Sequence, residues 1–227
     1  MKTFLKFVGL LALICVSSIS FSQTNEIKIR FIGNCGLYMT DGSSNIYIDF
    51  PYKSGAHNYM EYNISELDSV KINPIFIYTH KHSDHFSGKL VKKLTKKLGG
   101  RIYSPWNIKE LLKLNHELND FTIEVFKTKH RFSINHYSYL IIWHKKKIFI
   151  SGDTENAETI TTLKNIDWAF IPVWLLQDAN EKGIKLGNVS KKFAIYHIGP
   201  GDRITNDNND PKIKLLNKQG EIITIQY

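Results

Sequence analysis

The segment Thr79-His80-Lys81-His82-Ser83-Asp84-His85 places three imidazoles and one carboxylate within six residues, in the pattern H-x-H-x-D-H. Imidazole and carboxylate are together the ligands of zinc and of harder divalent metals, and side chains two residues apart on a turn can converge on one ion. The alternative is a polar surface turn that is rich in histidine by chance. Because the segment directly follows the apolar run at 75–78, where a buried strand would end, we favour a metal site.

Strand and helix patterns lie on both sides of this segment along the chain. Upstream, residues 26–48 alternate between apolar and polar side chains on either side of glycine-containing turns, which predicts antiparallel strands. Residues 75–78 predict a short buried strand, and residues 87–98 have the apolar spacing of a helix. Later strands are predicted at 121–126, in a hairpin that pairs 137–143 with 147–150, and at 167–173, 193–196 and 221–227.

Three of these later strands, taken with their loops, also end in residues that can bind a metal. His130 follows the strand at 121–126, Asp153 follows the hairpin, and His197 directly follows the strand at 193–196. Ordinary explanations exist: His130 could be a polar loop residue, and Asp153 could cap a helix predicted over residues 155–163. One such strand end is easily a coincidence, but four in chain order favour a single shared site.

With these residues in this order, the sequence resembles the metallo-β-lactamase superfamily. The pattern of that superfamily is H-x-H-x-D-H, then a later His, an Asp in a Gly-Asp pair and a last His, and the resemblance extends from the opening strands to the last strand. It implies an α/β fold, an αββα four-layer sandwich, with two divalent metal ions. The ligands that it implies are His80, His82 and His130 for the first ion, Asp84, His85 and His197 for the second, and Asp153 as a bridge.

The resemblance also implies a hydrolase, in which a hydroxide that bridges the two ions attacks the substrate and Asp84 is a catalytic residue that orients it. Zinc is the expected metal, with manganese or iron as alternatives. The set of seven ligands without a cysteine is unlike the true β-lactamases and similar to the glyoxalase II, RNase Z and lactonase branches. The Ile-Arg-Phe-Ile-Gly opening and the Ile-Asp-Phe-Pro stretch at 48–51 most resemble the L-ascorbate-6-phosphate lactonase branch.

We therefore expect the substrate to be a small lactone, ester or phosphodiester. The alternatives are a nuclease of the same superfamily and a metal-binding or ligand-binding protein without turnover. Against the nuclease, the sequence has no added nucleic-acid domain and no interleaving of aromatic and basic residues.

Several other residues have open or ordinary interpretations. Asp49 is either a carboxylate that supports the metal ligands or a turn cap. The tyrosine-rich residues 52–63 either line a substrate entrance or form an ordinary connection, and the bulky residues 173–176 are expected to make the pocket wall narrower or more apolar. His57 has no partner pattern and is left out of the metal set. Surface positions are predicted for the three histidines that lie outside any motif, His116, His136 and His144.

The first 22 residues predict a signal peptide, because Lys2 and Lys6 precede the apolar residues 8–15 and small residues favour cleavage after Ser22. The remaining residues 23–227 are then one hydrolase domain that is periplasmic or secreted, without stable membrane insertion. An uncleaved anchor is the alternative. Of the two cysteines only Cys35 would remain, so no intramolecular disulfide is expected.

The formal net charge of +9 is compatible with an anionic substrate, a nucleic acid or a membrane surface. The lysines, however, occur in helix-like clusters such as 92–93 and 96–97, which is typical of a solvated helix face. We therefore expect a small-molecule substrate and no nucleic acid, and the sequence does not indicate the oligomeric state.

Overall fold

The computed structural model describes residues 25–202 and 210–227, which form two six-stranded sheets. The strands of the first sheet are β1 (Glu26–Gly33), β2 (Gly36–Thr40), β3 (Asn45–Ile48), β4 (Ile75–Ile77), β5 (Arg101–Tyr103) and β12 (Ile222–Gln226). Their order is β12-β1-β2-β3-β4-β5. Strands β12 to β3 pair antiparallel as the alternating sequence predicts, and β3, β4 and β5 pair parallel.

The second sheet contains the remaining described strands. They are β6 (Phe121–His130), β7 (Ser133–Trp143), β8 (Lys146–Ile150), β9 (Trp168–Pro172), β10 (Phe193–Tyr196) and β11 (Ile213–Leu215). Their order is β11-β10-β9-β8-β7-β6, with β6 to β8 antiparallel and β8 to β11 parallel. The predicted hairpin is confirmed, because Tyr139 pairs with Ile150 and Trp143 with Lys146.

Helices cover the outer faces of the two sheets and complete four layers. Helix α1 (Gly88–Leu98) packs Val91 and Leu94 on the first sheet. After the short helices α2 (Ile108–Leu111) and α3 (Leu114–Glu117), helix α4 (Val173–Glu181) packs on the second sheet. The main apolar cluster, which includes Phe31 and Ile141, lies between the sheets. This arrangement confirms the predicted αββα sandwich.

The helix predicted over residues 155–163 is wrong in length and in its cap. The structure has only a short 3-10 helix, Ala157–Ile160, and its cap is Asn156, whose side chain accepts a hydrogen bond from the Glu158 amide. Asp153 is therefore free of the capping role that was its ordinary explanation.

The predicted signal peptide, residues 1–22, lies outside the described residues. Within 25–202 and 210–227, no helix combines the length and the apolar character that crossing a membrane requires.

Candidate metal centre

The candidate ligands lie where strands of the two sheets end. His80 to His85 follow β4, His130 is the last residue of β6, and Asp153 and His197 follow β8 and β10. The backbone is unusual at two of these ends: Gly152 has a φ of 58°, and a Cβ there would lie 2.7 Å from the His136 ring. His197 has a φ of 53°, a left-handed conformation that non-glycine residues adopt infrequently.

All seven predicted ligands come together, in two groups that share Asp153. In the first, ligand atoms of His80, His82 and His130 lie within 4.8 Å of one another. In the second, the Asp84 Oδ2 atom lies 3.3 Å from His197 Nε2 and 3.6 Å from His85 Nε2.

The Oδ2 atom of Asp153 lies between these two groups. It is 3.1 Å from the Nε2 atoms of His85 and His197, and 3.8 Å from the Nε2 atoms of His80 and His130. One carboxylate oxygen is therefore close to ring nitrogens from both halves of the site, which is the position of a bridging ligand.

The donor set fits divalent metal ions. Two donors that share a tetrahedral ion at ordinary metal–nitrogen distances lie about 3.3 Å apart, close to the spacings around Asp153. In the described part of the chain, His80 Nε2 and both ring nitrogens of His197 are buried without a hydrogen-bond partner. Buried polar atoms normally have partners, and an ion held in the cluster would supply one to His80 Nε2 and His197 Nε2, which both lie near Asp153.

Asp49 supports the ligands and is not merely a turn cap. Its buried carboxylate accepts hydrogen bonds from the Thr79 amide at 2.7 Å, the Thr79 hydroxyl at 2.7 Å and His85 Nδ1 at 2.9 Å. The bond to Nδ1 fixes the proton on that nitrogen and leaves His85 Nε2 free to face Asp153. The carboxylate thus sets the tautomer of a candidate ligand.

The prediction that His136 lies at the surface is wrong. Its side chain is buried, and its Nε2 atom accepts a hydrogen bond from the Asp153 amide at 2.8 Å. Its Nδ1 atom lies 2.6 Å from the Thr128 hydroxyl, which leads on to Ser138. Burial lowers the pKa of His136 to about 3, so the ring is neutral and positions Asp153. The alternation of β7 places residue 136 on an inward face, and that signal could have identified it.

The charge states of the cluster suit a cation. Burial holds the pKa of His80 well below its ordinary value, so that ring is neutral. Burial opposes ionisation of Asp153, but the His197 and His85 rings outweigh it and hold its pKa well below the usual range. The same carboxylate outweighs burial at His85 and His197 and raises their pKa values. A bound cation would replace the protons on those two rings.

Cys35 is a further potential metal ligand near this site, and the sequence did not identify it. It is fully buried, and its Sγ atom lies 3.8 Å from Asp153 Oδ1. Burial raises the pKa of the Cys35 thiol well above its ordinary value. The only local signal for it is the Gly33-Asn34-Cys35-Gly36 turn, which joins β1 and β2.

A cavity of about 230 Å³ lies next to the centre, bordered by Tyr59 and by Ile198, the residue after His197, and none of the seven candidate ligands lines it. The Tyr59 ring meets the His197 ring edge-on at 4.1 Å between centroids, so the tyrosine-rich loop does reach the site. The Trp174 ring contacts the same histidine at 4.8 Å, and its Nε1 donates to the Thr154 carbonyl at 3.2 Å. Trp174 of the bulky segment 173–176 therefore contacts a candidate ligand, whereas no residue of that segment lines the cavity. The cavity is lined by Phe31, Asn34, Asn58, Tyr59, Met60, Ile198, Gly199, Pro200, Leu216 and Asn217.

The remaining histidines take separate places. His57, which was left out of the metal set, is exposed, and its Nε2 atom lies 3.9 Å from Asp84 Oδ1. His116 is exposed on α3, as predicted. His144 lies at the β7–β8 turn and pairs with Asp41 at 2.9 Å, away from the metal ligands.

Solved structures with the same architecture come from an archaeon, a bacterium and human. No protein-family model matches the sequence. Igni18, a metallo hydrolase from the archaeon Ignicoccus hospitalis, is 17% identical, with a TM-score of 0.63 over 89% of this chain and 99% of its own. YhfI from Bacillus subtilis, a metallo-β-lactamase fold protein, is 15% identical, with a TM-score of 0.62 over 88% and 99%. The short form of human tRNase Z is 13% identical, with a TM-score of 0.57 over 86% and 98%.

At these low sequence identities, the similarity shows that the backbone architecture is shared. The likeness spans nearly the full length of the three solved chains and agrees with the two covered six-stranded sheets described above. This chain therefore has the metallo-β-lactamase fold.

Proposed function

We propose that the protein is a dinuclear metal-dependent hydrolase of a small substrate. The observation that carries this proposal is the position of Asp153 Oδ2, between 3.1 and 3.8 Å from four histidine nitrogens that belong to both halves of the site. A single oxygen in that position suits two neighbouring cations. The residues that would hold them are His80, His82 and His130 for the first, Asp84, His85 and His197 for the second, and Asp153 for both.

Two divalent ions, when bound, lower the pKa of water between them and stabilise negative charge that develops on the substrate. The protein's own contribution is to hold donors and water in place. Asp84 is the catalytic residue that we assign, because its buried carboxylate faces the cluster and can accept a hydrogen bond from the attacking water. Asn34 keeps it there by donating to the Asp84 carbonyl at 3.0 Å and to its Oδ2 atom at 3.4 Å.

A small lactone, ester or phosphodiester is the substrate class that we propose. The cavity of about 230 Å³ that Tyr59 and Ile198 border accommodates a small molecule and is lined by apolar and amide side chains. The resemblance to the L-ascorbate-6-phosphate lactonase branch supports testing lactones first. Human tRNase Z has the same fold, so RNA belongs in the same test as the alternative substrate. Zinc is the metal that we propose, because histidine-rich sites suit it, with manganese and iron as alternatives.

We also propose that the protein is exported to the periplasm or secreted. The support is the sequence of residues 1–22, with two lysines before an apolar stretch and small residues at the expected cleavage site. Expression of the full chain followed by N-terminal sequencing tests this directly. Mature protein that begins after Ser22 supports export, and a cytoplasmic product that retains Met1 contradicts it.

The experiment that tests the activity uses the full chain loaded with Zn²⁺ or Mn²⁺ and a panel of lactones, esters, phosphodiesters, β-lactams and RNA. We expect turnover of a small substrate that falls to background in His82→Ala and Asp153→Ala, together with a loss of bound metal. The matched control is His116→Ala, which removes an exposed histidine outside the site. Unchanged turnover in the two site variants would refute the proposal. Two bound metals without turnover on any substrate would favour a binding protein, and turnover of RNA alone would favour a nuclease.

A further inference from the structure

The β1–β2 hairpin carries a thiol into the second half of the metal centre. Cys35 lies in the turn between Gly33 and Gly36, next to a register shift in the pairing of the two strands. Such irregularities re-aim side chains, and the Cys35 side chain is fully buried. Its Sγ atom lies 3.8 Å from Asp153 Oδ1.

The sulfur belongs to a four-residue group with the geometry of a metal site. Ligand atoms of Cys35, His85, Asp153 and His197 all lie within 4.8 Å of one another, and all four residues are buried. Of these, His197 is 1% exposed, and its Nε2 atom, 3.1 Å from Asp153 Oδ2, makes no well-aligned hydrogen bond within the described chain. An unpartnered, buried imidazole nitrogen beside the thiol points to a ligand at this position.

Hydrogen bonds fix the hairpin tip to the centre from two sides. The His197 amide donates to the Asn34 carbonyl at 3.1 Å, and the Asn34 side chain donates to the Asp84 carbonyl at 3.0 Å. The tip therefore holds the neighbouring Cys35 in place. A buried cysteine is often only a small apolar residue, but this sulfur faces a carboxylate and two imidazoles.

We propose that Cys35 is a further ligand of the second ion, as a thiolate, and that it makes this half of the centre prefer Zn²⁺ to Mn²⁺. The proposal rests on the metal centre proposed above and extends its ligand set. Thiolate sulfur is a soft donor that suits zinc, whereas manganese prefers carboxylate and water oxygens. On binding, the S–H bond breaks and the proton leaves to solvent, while sulfur supplies the electron pair of the metal bond.

The test replaces the metal with Co²⁺ in the full chain that carries Cys15→Ser, so that Cys35 is the sole cysteine. We expect the intense near-ultraviolet absorption of a thiolate–cobalt bond with two cobalt ions bound. The band should disappear in Cys15→Ser combined with Cys35→Ser. Circular dichroism verifies that both proteins are folded. The protein with Cys15→Ser alone tests the proposal even if the protein that also carries Cys35→Ser does not fold. Two bound cobalt ions without the band overturn the role of Cys35.

Competition between metals provides the second measurement. Cys35→Ser should weaken Zn²⁺ at one of the two sites by at least about tenfold and leave Mn²⁺ affinity nearly unchanged. Equal losses for both metals overturn the selectivity. A thiolate band in a protein that turns over no substrate would support the ligand assignment while refuting the hydrolase. A protein that binds no cobalt would refute the metal centre as a whole.

Discussion

The support that Asp49 gives to His85 leads to a quantitative prediction for Asp49→Asn. The carboxylate Oδ2 accepts from the Thr79 hydroxyl and from His85 Nδ1, and Oδ1 accepts from the Thr79 amide. Asparagine has nearly the same volume but must present an NH₂ group to one of these donors. With the NH₂ group towards His85, its Nδ1 becomes the acceptor and the proton moves to Nε2, the nitrogen that faces Asp153.

The expected loss follows from the bond that is removed. A hydrogen bond to a charged group contributes about 1.5–3 kcal/mol, and each 1.4 kcal/mol is a factor of ten in a binding constant. The substitution should therefore weaken binding of the second ion by roughly 10- to 150-fold, in the range found when partners of metal-binding histidines are removed. Affinity for the first ion should change less, because the bonds of Asp49 reach His85 directly and the first group only through Thr79.

Competition with a chromophoric chelator, in protein stripped of metal and reloaded with Zn²⁺, measures both affinities. Asp41→Asn is the matched control, since Asp41 also pairs with a histidine, His144, at 2.9 Å, but lies at the turn between β2 and β3. Circular dichroism establishes that both variants are folded. If a folded Asp49→Asn protein binds the second ion as tightly as Asp41→Asn does, the tautomer argument is refuted.

Two further predictions concern stability. Burial lowers the pKa of His136 from 6.5 to about 3 in the folded protein, so the unfolded chain binds more protons between these values and stability falls as pH decreases through this window. The variant His136→Gln, studied without metal, retains an acceptor for the Asp153 amide but does not titrate. The pH dependence of its free energy of unfolding should therefore be shallower than that of the unmodified protein, by up to about 1.4 kcal/mol per pH unit. If urea unfolding gives the same dependence on pH for both proteins, this prediction is wrong. The buried Glu66 carboxylate binds the Arg30 guanidinium through two hydrogen bonds, so Glu66→Gln should lower the free energy of unfolding by about 1–3 kcal/mol. Glu26→Gln, which removes the charge that pairs with the exposed Lys28, is the control and should have no measurable effect; similar losses would argue against a role for burial.

Patterns that are local in sequence predicted individual strands and the residues at their ends, and the resemblance to the metallo-β-lactamase superfamily implied the four-layer sandwich. Alternation at 26–48 predicted the antiparallel strands, and the apolar run at 75–78 placed the histidine segment after β4. These predictions succeeded because strand periodicity and metal-ligand chemistry are properties of short segments. The helix at 155–163 failed for the opposite reason: a helix cap and a few apolar residues are weak signals, and the structure has only the short 3-10 helix Ala157–Ile160 there.

Only the tertiary structure decided what surrounds the seven candidate ligands. Asp49 precedes His85 by 36 residues and Cys35 precedes Asp153 by 118, yet both pairs are in contact. His136 has no motif around it and is nevertheless a hydrogen-bond partner of Asp153. The sequence by itself determined which chemical groups stand at the ends of strands, because that depends on a few consecutive residues. Other side chains orient these groups, balance their charge and add to the candidate ligand set. Their identity depends on contacts between the two sheets, and those contacts exist only once the sheets have packed.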